Sequence, residues 1–298
     1  MVFIRSIIVV MVCIALSAPA MARELTGTLK KIKDTGVIAL GHRESSIPFS
    51  YYDDKQQVVG YSYDIQMKIV EAIKQELKLA KLDVKLVPVN SQNRIPLLKN
   101  GTVDLECGST TNNKERQEQA SFSNTIFVVA TRLLTRQDSG ITDFPALTGK
   151  TVVTTAGTTS ERLIRKMNEE NKMHMNVISA KDHGESFLTL ESGRAVAFMM
   201  DDALLAGERA KARKPDAWTI VGKPQSKEAY GCMLRQGDAP FKKLVDAVIA
   251  KTQTSGEAAK LYWKWFQSPI PPKGYNLNFP LSDDMKALYQ APNDKTFD

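Results

Sequence analysis

The amino-acid sequence predicts an α/β protein built as two successive units, each a mostly parallel sheet flanked by helices. Three observations predict it. Short β-branched runs alternate with stretches of helical apolar spacing along most of the chain. The alternation occurs as two series, separated by the long apolar, β-branched segment Ile126–Thr135. And 298 residues are too many for one small core and suit two domains.

The chain opens with Arg5, an apolar run from Ile7 to about Leu16, the turn residue Pro19 and the small-residue pattern Ala20-Met21-Ala22. That order predicts a secretory leader over residues 1–22, cleaved after Ala22. The competing reading is a retained anchor, but the run is short for a bilayer span. Cys13 would leave with the leader. In the first series, Val37–Leu40 reads as a strand. Tyr61 to about Leu79 reads as a helix, with apolar residues at Ile65, Ile69, Val70, Ile73 and Leu77. Val84–Val89 alternates as a strand. Ser91 is placed to cap a helix through Ile95, Leu97 and Leu98, ending near Asn100-Gly101. Val103–Cys107 is another strand.

The second series begins beyond Ile126–Thr135. Strands are expected at Thr151–Thr154, Met175–Ile178 and Ala195–Met199, and helices at Thr159–Glu170, around Ser186–Leu190 and at Asp202–Ala212. A strand near Tyr230 and helices around Phe241–Lys251 and Glu257–Phe266 follow. The Pro-rich Pro269-Ile270-Pro271-Pro272 introduces a polar tail, expected to be an extended arm.

Forty Lys and Arg oppose 33 Asp and Glu, a net +7. Such a balance suits an anionic ligand, a membrane surface or nucleic acid. No basic block is interleaved with aromatics, so no nucleic-acid partner is expected, and AGERAKARKP (206–215) reads as a solvated helix end. GxGxxG, HExxH, CxxC and GxSxG are absent. Gly149-Lys150-Thr151 resembles the end of a phosphate loop, but Phe144 stands where the first glycine belongs. The three His have no metal-ligand spacing, so no metal and no cofactor is expected. After the leader only Cys107 and Cys232 remain, an even number for an oxidising compartment.

The loop Gly108-Ser109-Thr110-Thr111-Asn112-Asn113-Lys114-Glu115-Arg116 directly follows a predicted strand. Ligands of open α/β sheets bind at such strand ends. Small hydroxyl residues expose backbone groups there, and Arg116 can return a planar fork suited to a carboxylate. Taken alone, the segment reads equally as a polar loop with a surface arginine. The loop resembles, however, the G-x-T-x-T-x-x-R loop of polar amino-acid binding proteins of ABC transporters, solute-binding protein family 3. Phe122-Ser123, Val59-Gly60-Tyr61 with Asp64, TVVTTAGTTS (151–160), AVAFMMD (195–201) and Tyr230-Gly231 are similar landmarks, in the family's order along the chain. His42-Arg43-Glu44, Ser91-Gln92-Asn93-Arg94 and Lys181-Asp182-His183-Gly184 look like its glutamate/aspartate-binding branch.

The resemblance implies a two-lobed type II periplasmic binding protein. Lobe 1 would comprise residues 23–127 and 228–298, lobe 2 residues 128–227, with hinge crossovers near Thr125–Ala130 and Ser226–Tyr230. It implies a monomer in the periplasm that delivers L-glutamate or L-aspartate to ABC transporter permease subunits. Arg116 would pair with the α-carboxylate, helped by the backbone N–H groups of Thr111 and Thr159, the latter at a helix start that favours an anion. Ser109, the Thr111 hydroxyl and Asp201 would accept from the ammonium. Arg43, Ser91, Arg94 and His183 would surround the side-chain carboxylate, leaving two arginines poorly matched by an amide ligand. Counting the three arginines, Asp201 and an anionic ligand leaves a filled site of about +1. Ser46 stands near where many relatives carry an aromatic lid, and Phe49 reads as cleft wall or core. The family brings the strands of Cys107 and Cys232 together, which implies a disulfide; two free buried thiols are the alternative. Two other functions remain in view. A dehydratase-like enzyme on this fold could use His183 or Asp201 as general acid or base, but would leave the ammonium-binding set unexplained. A free sensor module would bind the same ligand.

Overall fold

The structure is a computed structural model that describes residues 24–298. The predicted leader, with Cys13, lies outside the described residues. In the first part of the chain the elements are α1 (Gly27–Thr35), β1 (Val37–His42), β2 (Ser45–Ser46), β3 (Ser50–Tyr52), β4 (Val58–Val59), α2 (Tyr61–Glu76), β5 (Asp83–Pro88), α3 (Arg94–Lys99), β6 (Leu105–Glu106), β7 (Thr111–Asn112) and α4 (Lys114–Gln117). The long β8 (Ser121–Arg136) leads into β9 (Thr151–Thr155), α5 (Thr159–Glu170), β10 (Asn176–Ala180), α6 (His183–Glu191), β11 (Ala197–Asp201), α7 (Asp202–Lys211) and β12 (Trp218–Val221). The chain returns through β13 (Lys227–Leu234) to α8 (Ala239–Thr254), α9 (Glu257–Phe266) and α10 (Asp283–Gln290).

The main sheet runs in the order β10-β9-β11-β8-β13-β6-β1-β5. It is parallel towards both ends: β1 pairs in parallel with β5 and β6, and β9 with β10 and β11. Its centre is antiparallel, where β13 lies against the first part of β8, with Lys227 opposite Ala130 and Tyr230 opposite Phe127. The rest of β8 pairs with β11 and β12. One strand therefore serves both halves of the sheet. One apolar cluster, including Leu133, Phe144, Leu147, Val152, Ile164 and Met199, lies within the second half, whose Leu134, Val153, Phe187, Phe198 and Leu204 belong to the large core shared with the first half. Below β8 and β13, Phe49, Tyr61, Phe127, Tyr230 and Phe266 pack ring against ring, so Phe49 is core and not cleft wall.

Local sequence explains most elements. In α2, Tyr61, Ile65, Ile69, Val70 and Ile73 form one buried stripe at helical spacing. Thr158 and Asp182 cap α5 and α6, each accepting from a backbone N–H of the first turn. Three expectations are corrected. Ser91 caps nothing: its hydroxyl accepts from Arg43, and Asn90 instead accepts from the N–H groups of Gln92 and Asn93. The unpredicted α1 exposes a basic face and buries only Thr28, Leu29 and Ile32, too narrow a stripe to stand out in sequence. The tail is not an extended arm throughout. It contains α10, whose Met285 and Leu288 are buried, and Asn293 O then accepts from Thr125 N at 2.8 Å. Among the described residues, no helix is long and apolar enough to cross a membrane.

Cys107 and Cys232 are bonded, with Cα atoms 4.3 Å apart, beside the pairing of β6 with β13. The bond joins residues 125 positions apart. Cross-linking so distant a pair restricts the unfolded chain, so reduction is expected to lower stability by about 2–4 kcal/mol. Urea titrations of the oxidised and reduced protein check this; coincident midpoints would show that the bond adds nothing.

Candidate functional site

Strand ends and helix starts converge where the two halves of the sheet meet. The loop after β6 brings Ser109, Thr111 and Arg116. The start of α5 brings Thr158 and Thr159, the start of α6 brings His183, and the end of β11 brings Asp201. With Arg94, Met200 and Leu204 these residues line a narrow cavity. A larger, more open groove nearby is lined by Asn113, Arg162, Lys227 and Asp298 among others. None of the buried side-chain atoms that lack a protein partner belongs to a residue lining that groove.

Arg43, Arg94 and Arg116 are only 1%, 2% and 3% exposed, which excludes a surface ion pair between Arg43 and Glu44. Their hydrogen bonds go to hydroxyl and carbonyl oxygens. Arg43 donates to Ser109 Oγ (3.3 Å) and Ser91 Oγ (3.2 Å). Arg94 donates to Ser109 O (3.2 Å) and Thr110 Oγ1 (2.5 Å). Arg116 donates to Thr111 O (2.9 Å) and, across to the second half, to Gly157 O (3.3 Å). Burial and then repulsion from Arg94 push Arg43 down to about 10. Burial, then Arg94 and Arg162, push Arg116 down to about 9. Burial lowers Arg94 as well, against the pull of Glu106. All three remain charged at neutral pH, and such a group of desolvated cations calls for an anion.

Two buried nitrogens beside the cavity have no protein partner, Arg94 Nε and His183 Nε2. The other His183 nitrogen, Nδ1, lies 2.9 Å from Thr155 Oγ1, which fixes the ring. Burial, then Arg43, Arg94 and Lys211, hold His183 well below its ordinary pKa, so its imidazole is neutral. Gly157 lets the halves approach closely: at φ +76°, a Cβ there would lie 2.9 Å from the backbone of Gln92 and Ser91.

Asp201 occupies the N-cap position of α7 but its side chain does not cap the helix. It accepts instead from Tyr230 Oη, from Thr131 Oγ1 (3.3 Å) and from Ser160 Oγ (3.4 Å). Burial, then the Glu228 carboxylate, push its pKa up to about 8. All nine predicted site residues are thus together, seven on the cavity, Arg43 bonded to Ser109, and Ser91 bonded to Arg43. Ser46 is fully buried beneath Ser109, 3.3 Å from its hydroxyl, and so is no lid.

Sequence reasoning missed two buried carboxylates. Glu106 accepts from Thr110 Oγ1 at 2.7 Å, the same hydroxyl that Arg94 contacts. Glu228 accepts from Thr111 Oγ1 at 2.5 Å and Thr159 Oγ1 at 2.8 Å. Counting both turns the filled site from about +1 to about −1 with Asp201 ionised, or about neutral with Asp201 protonated. Asp104 and Glu106 alternate with apolar residues in VDLEC (103–107), and Glu228 follows Lys227 at the head of EAYGCML (228–234), so in sequence neither stands apart from a solvent-facing position.

A two-part α/β scaffold with strand ends gathered around a narrow, arginine-rich cavity is built to hold a small anionic solute. Residues 38–268 match the family described as bacterial extracellular solute-binding proteins, family 3, and the chain belongs to it. It is 70% identical over 268 residues to the glutamate/aspartate import solute-binding protein of Salmonella typhimurium, covering 90% of this chain and 89% of that one. It is 64% identical over 281 residues to the L-glutamate/L-aspartate-binding protein of Pseudomonas aeruginosa, covering 94% and 93%. Among solved structures, the solute receptor for L-cysteine of Neisseria gonorrhoeae superposes with a TM-score of 0.70 at 26% identity, covering 80% of this chain and 93% of that one. These relatives are binding proteins, and the fold is that of the type II periplasmic amino-acid binders.

Proposed function

We propose that this protein captures L-glutamate or L-aspartate in the periplasm and delivers it, as a monomer, to the permease subunits of an ABC transporter. The observation that carries the reading is the pair of buried, unpartnered nitrogens, Arg94 Nε and His183 Nε2, at one cavity with Arg116. A ligand with two carboxylates and one ammonium answers all of them. Its α-carboxylate pairs with Arg116 and the backbone N–H groups of Thr111 and Thr159. Its ammonium meets Ser109, the Thr111 hydroxyl and Asp201. Its side-chain carboxylate meets Arg94 and His183, with Arg43 and Ser91 behind. Residues 23–127 and 228–298 act as one lobe and 128–227 as the other, and a ligand that bridges both favours the closed arrangement. Calorimetric titration of ligand-stripped protein with glutamate, aspartate, glutamine and asparagine tests the reading; tighter binding of either amide would overturn it.

The raised pKa of Asp201 predicts a pH dependence. Between its unfolded value of about 4 and its folded value of about 8, the folded protein holds a proton that the unfolded chain has released. The residue's contribution to stability is therefore full below about pH 4 and is lost as pH rises through about 8. An arriving ammonium favours the ionised carboxylate, so binding should expel the proton. Glutamate affinity is expected to rise from about pH 6 to about pH 8, with proton release measurable by calorimetry in buffers of different ionisation enthalpy. A flat affinity profile with no proton release would contradict the ammonium's contact with Asp201.

A further inference from the structure

Glu228 belongs to the crossover strand β13 and is only 6% exposed. Its Oε2 accepts two hydroxyl protons, from Thr111 Oγ1 at 2.5 Å and from Thr159 Oγ1 at 2.8 Å. Its Oε1 accepts from Ser226 Oγ at 3.0 Å and, at the long end, from Thr131 Oγ1 at 3.5 Å. Thr111 lies in the loop after β6 and Thr159 at the start of α5, so one carboxylate oxygen bridges the two halves of the molecule. Glu228 is absent from the lining of the narrow cavity, whereas Thr111 and Thr159 are part of it; all three also line the larger groove beside it.

A threonine hydroxyl has one proton and two lone pairs, and an ionised carboxylate only accepts. Once Thr111 has donated its proton to Glu228, its hydroxyl can face the cavity only as an acceptor. That is the polarity an ammonium requires, because an ammonium has donors and no lone pair. With the proton free to rotate toward the cavity, the same hydroxyl would oppose the ammonium. We propose that Glu228 is a positioning residue for ligand capture: by taking the Thr111 proton it presets that hydroxyl to accept from the ammonium. By taking the Thr159 proton on the same oxygen, it ties the preset state to approach of the two halves. The inference rests on the amino-acid-binding reading above and adds to it a residue that need not touch the ligand.

The test is a set of calorimetric titrations with L-glutamate, carried to millimolar ligand, on the full mature chain. The variants are Glu228→Gln, Thr111→Val and Ser91→Ala, and Glu228→Gln combined with each of the other two. Glu228→Gln keeps the size of the side chain but removes the acceptor-only character of its end group. It is expected to weaken binding about ten-fold or more. With the Thr111 hydroxyl already gone, the same change should cost clearly less than in the parent, because only the bond to Thr159 remains to be lost. Combined with Ser91→Ala, which lies behind Arg43, the losses should multiply. Melting of the ligand-free proteins separates loss of folding from loss of binding. A Glu228→Gln protein that binds like the parent would overturn the proposal, as would a loss that multiplies fully with Thr111→Val. Failure of the parent itself to bind glutamate or aspartate would instead refute the function proposed above.

Discussion

Replacing Arg116 by alanine is expected to abolish measurable binding of every amino acid, acidic or neutral. The α-carboxylate is common to all of them, and Arg116 is the guanidinium held against both halves of the molecule. Its two terminal nitrogens already engage Thr111 O at 2.9 Å and Gly157 O at 3.3 Å. That geometry fixes the fork before a ligand arrives, so little side-chain freedom remains to be lost on binding. Charge-assisted bonds contribute about 1.5–3 kcal/mol each, and two of them correspond to roughly a hundred- to ten-thousand-fold in Kd. The variant should melt near the parent, because removing a desolvated cation relieves repulsion with Arg94 and Arg162. Arg116→Lys should fall between the two, keeping the charge and losing the fork. Undiminished glutamate affinity in the alanine variant would remove the α-carboxylate from this position.

The second large effect is on selectivity. Arg94→Ala is expected to weaken glutamate and aspartate by about a hundred-fold or more, while any residual glutamine binding changes much less. Arg94 lines the cavity with Nε unpartnered, whereas Arg43 sits behind it and spends its nitrogens on Ser91 and Ser109. Arg43→Ala should therefore shift selectivity in the same direction by a smaller factor. Side-by-side titration of both variants with glutamate and glutamine gives the ratio directly. Equal proportional losses for the two ligands would mean that these arginines act on closure or folding, and the side-chain carboxylate would need another partner.

How much of this was legible before the structure depends on where each residue sits. Arg116, Thr159 and His183 stand at loop ends and helix starts, where polar residues break the apolar rhythm and a family pattern has fixed spacing. Asp201 was readable as the charged end of an apolar strand, but its bonds to Tyr230 and Thr131 were not, because those residues are distant in sequence and meet only through strand pairing. Glu106 and Glu228 went unnoticed for the same reason. Within a strand a single acidic residue looks like the solvent-facing position of an alternating pattern, and only the sheet order shows that both faces are covered. The halves of the fold followed from periodicity, whereas α10 did not. Its helix rests on two apolar anchors, Met285 and Leu288, and on contacts to remote segments such as Lys227–Asp284.

The pairing of β8 with β13 also sets how the molecule can deform. Two antiparallel strands in register from Lys227–Ala130 to Tyr230–Phe127 make a ladder that twists and flexes readily. It does not slide, since a one-residue slip would turn every side chain to the opposite face. The C-terminal segment contacts that ladder from one end to the other, through Asn293 on Thr125, Met285 on Val128 and Asp284 on Lys227. On the two-lobe reading proposed above, a joint held in register in this way would turn more easily than it would slide, so that closure brings Thr111 and Thr159 back to the same carboxylate oxygen, as a pivot brings a jaw back to its seat.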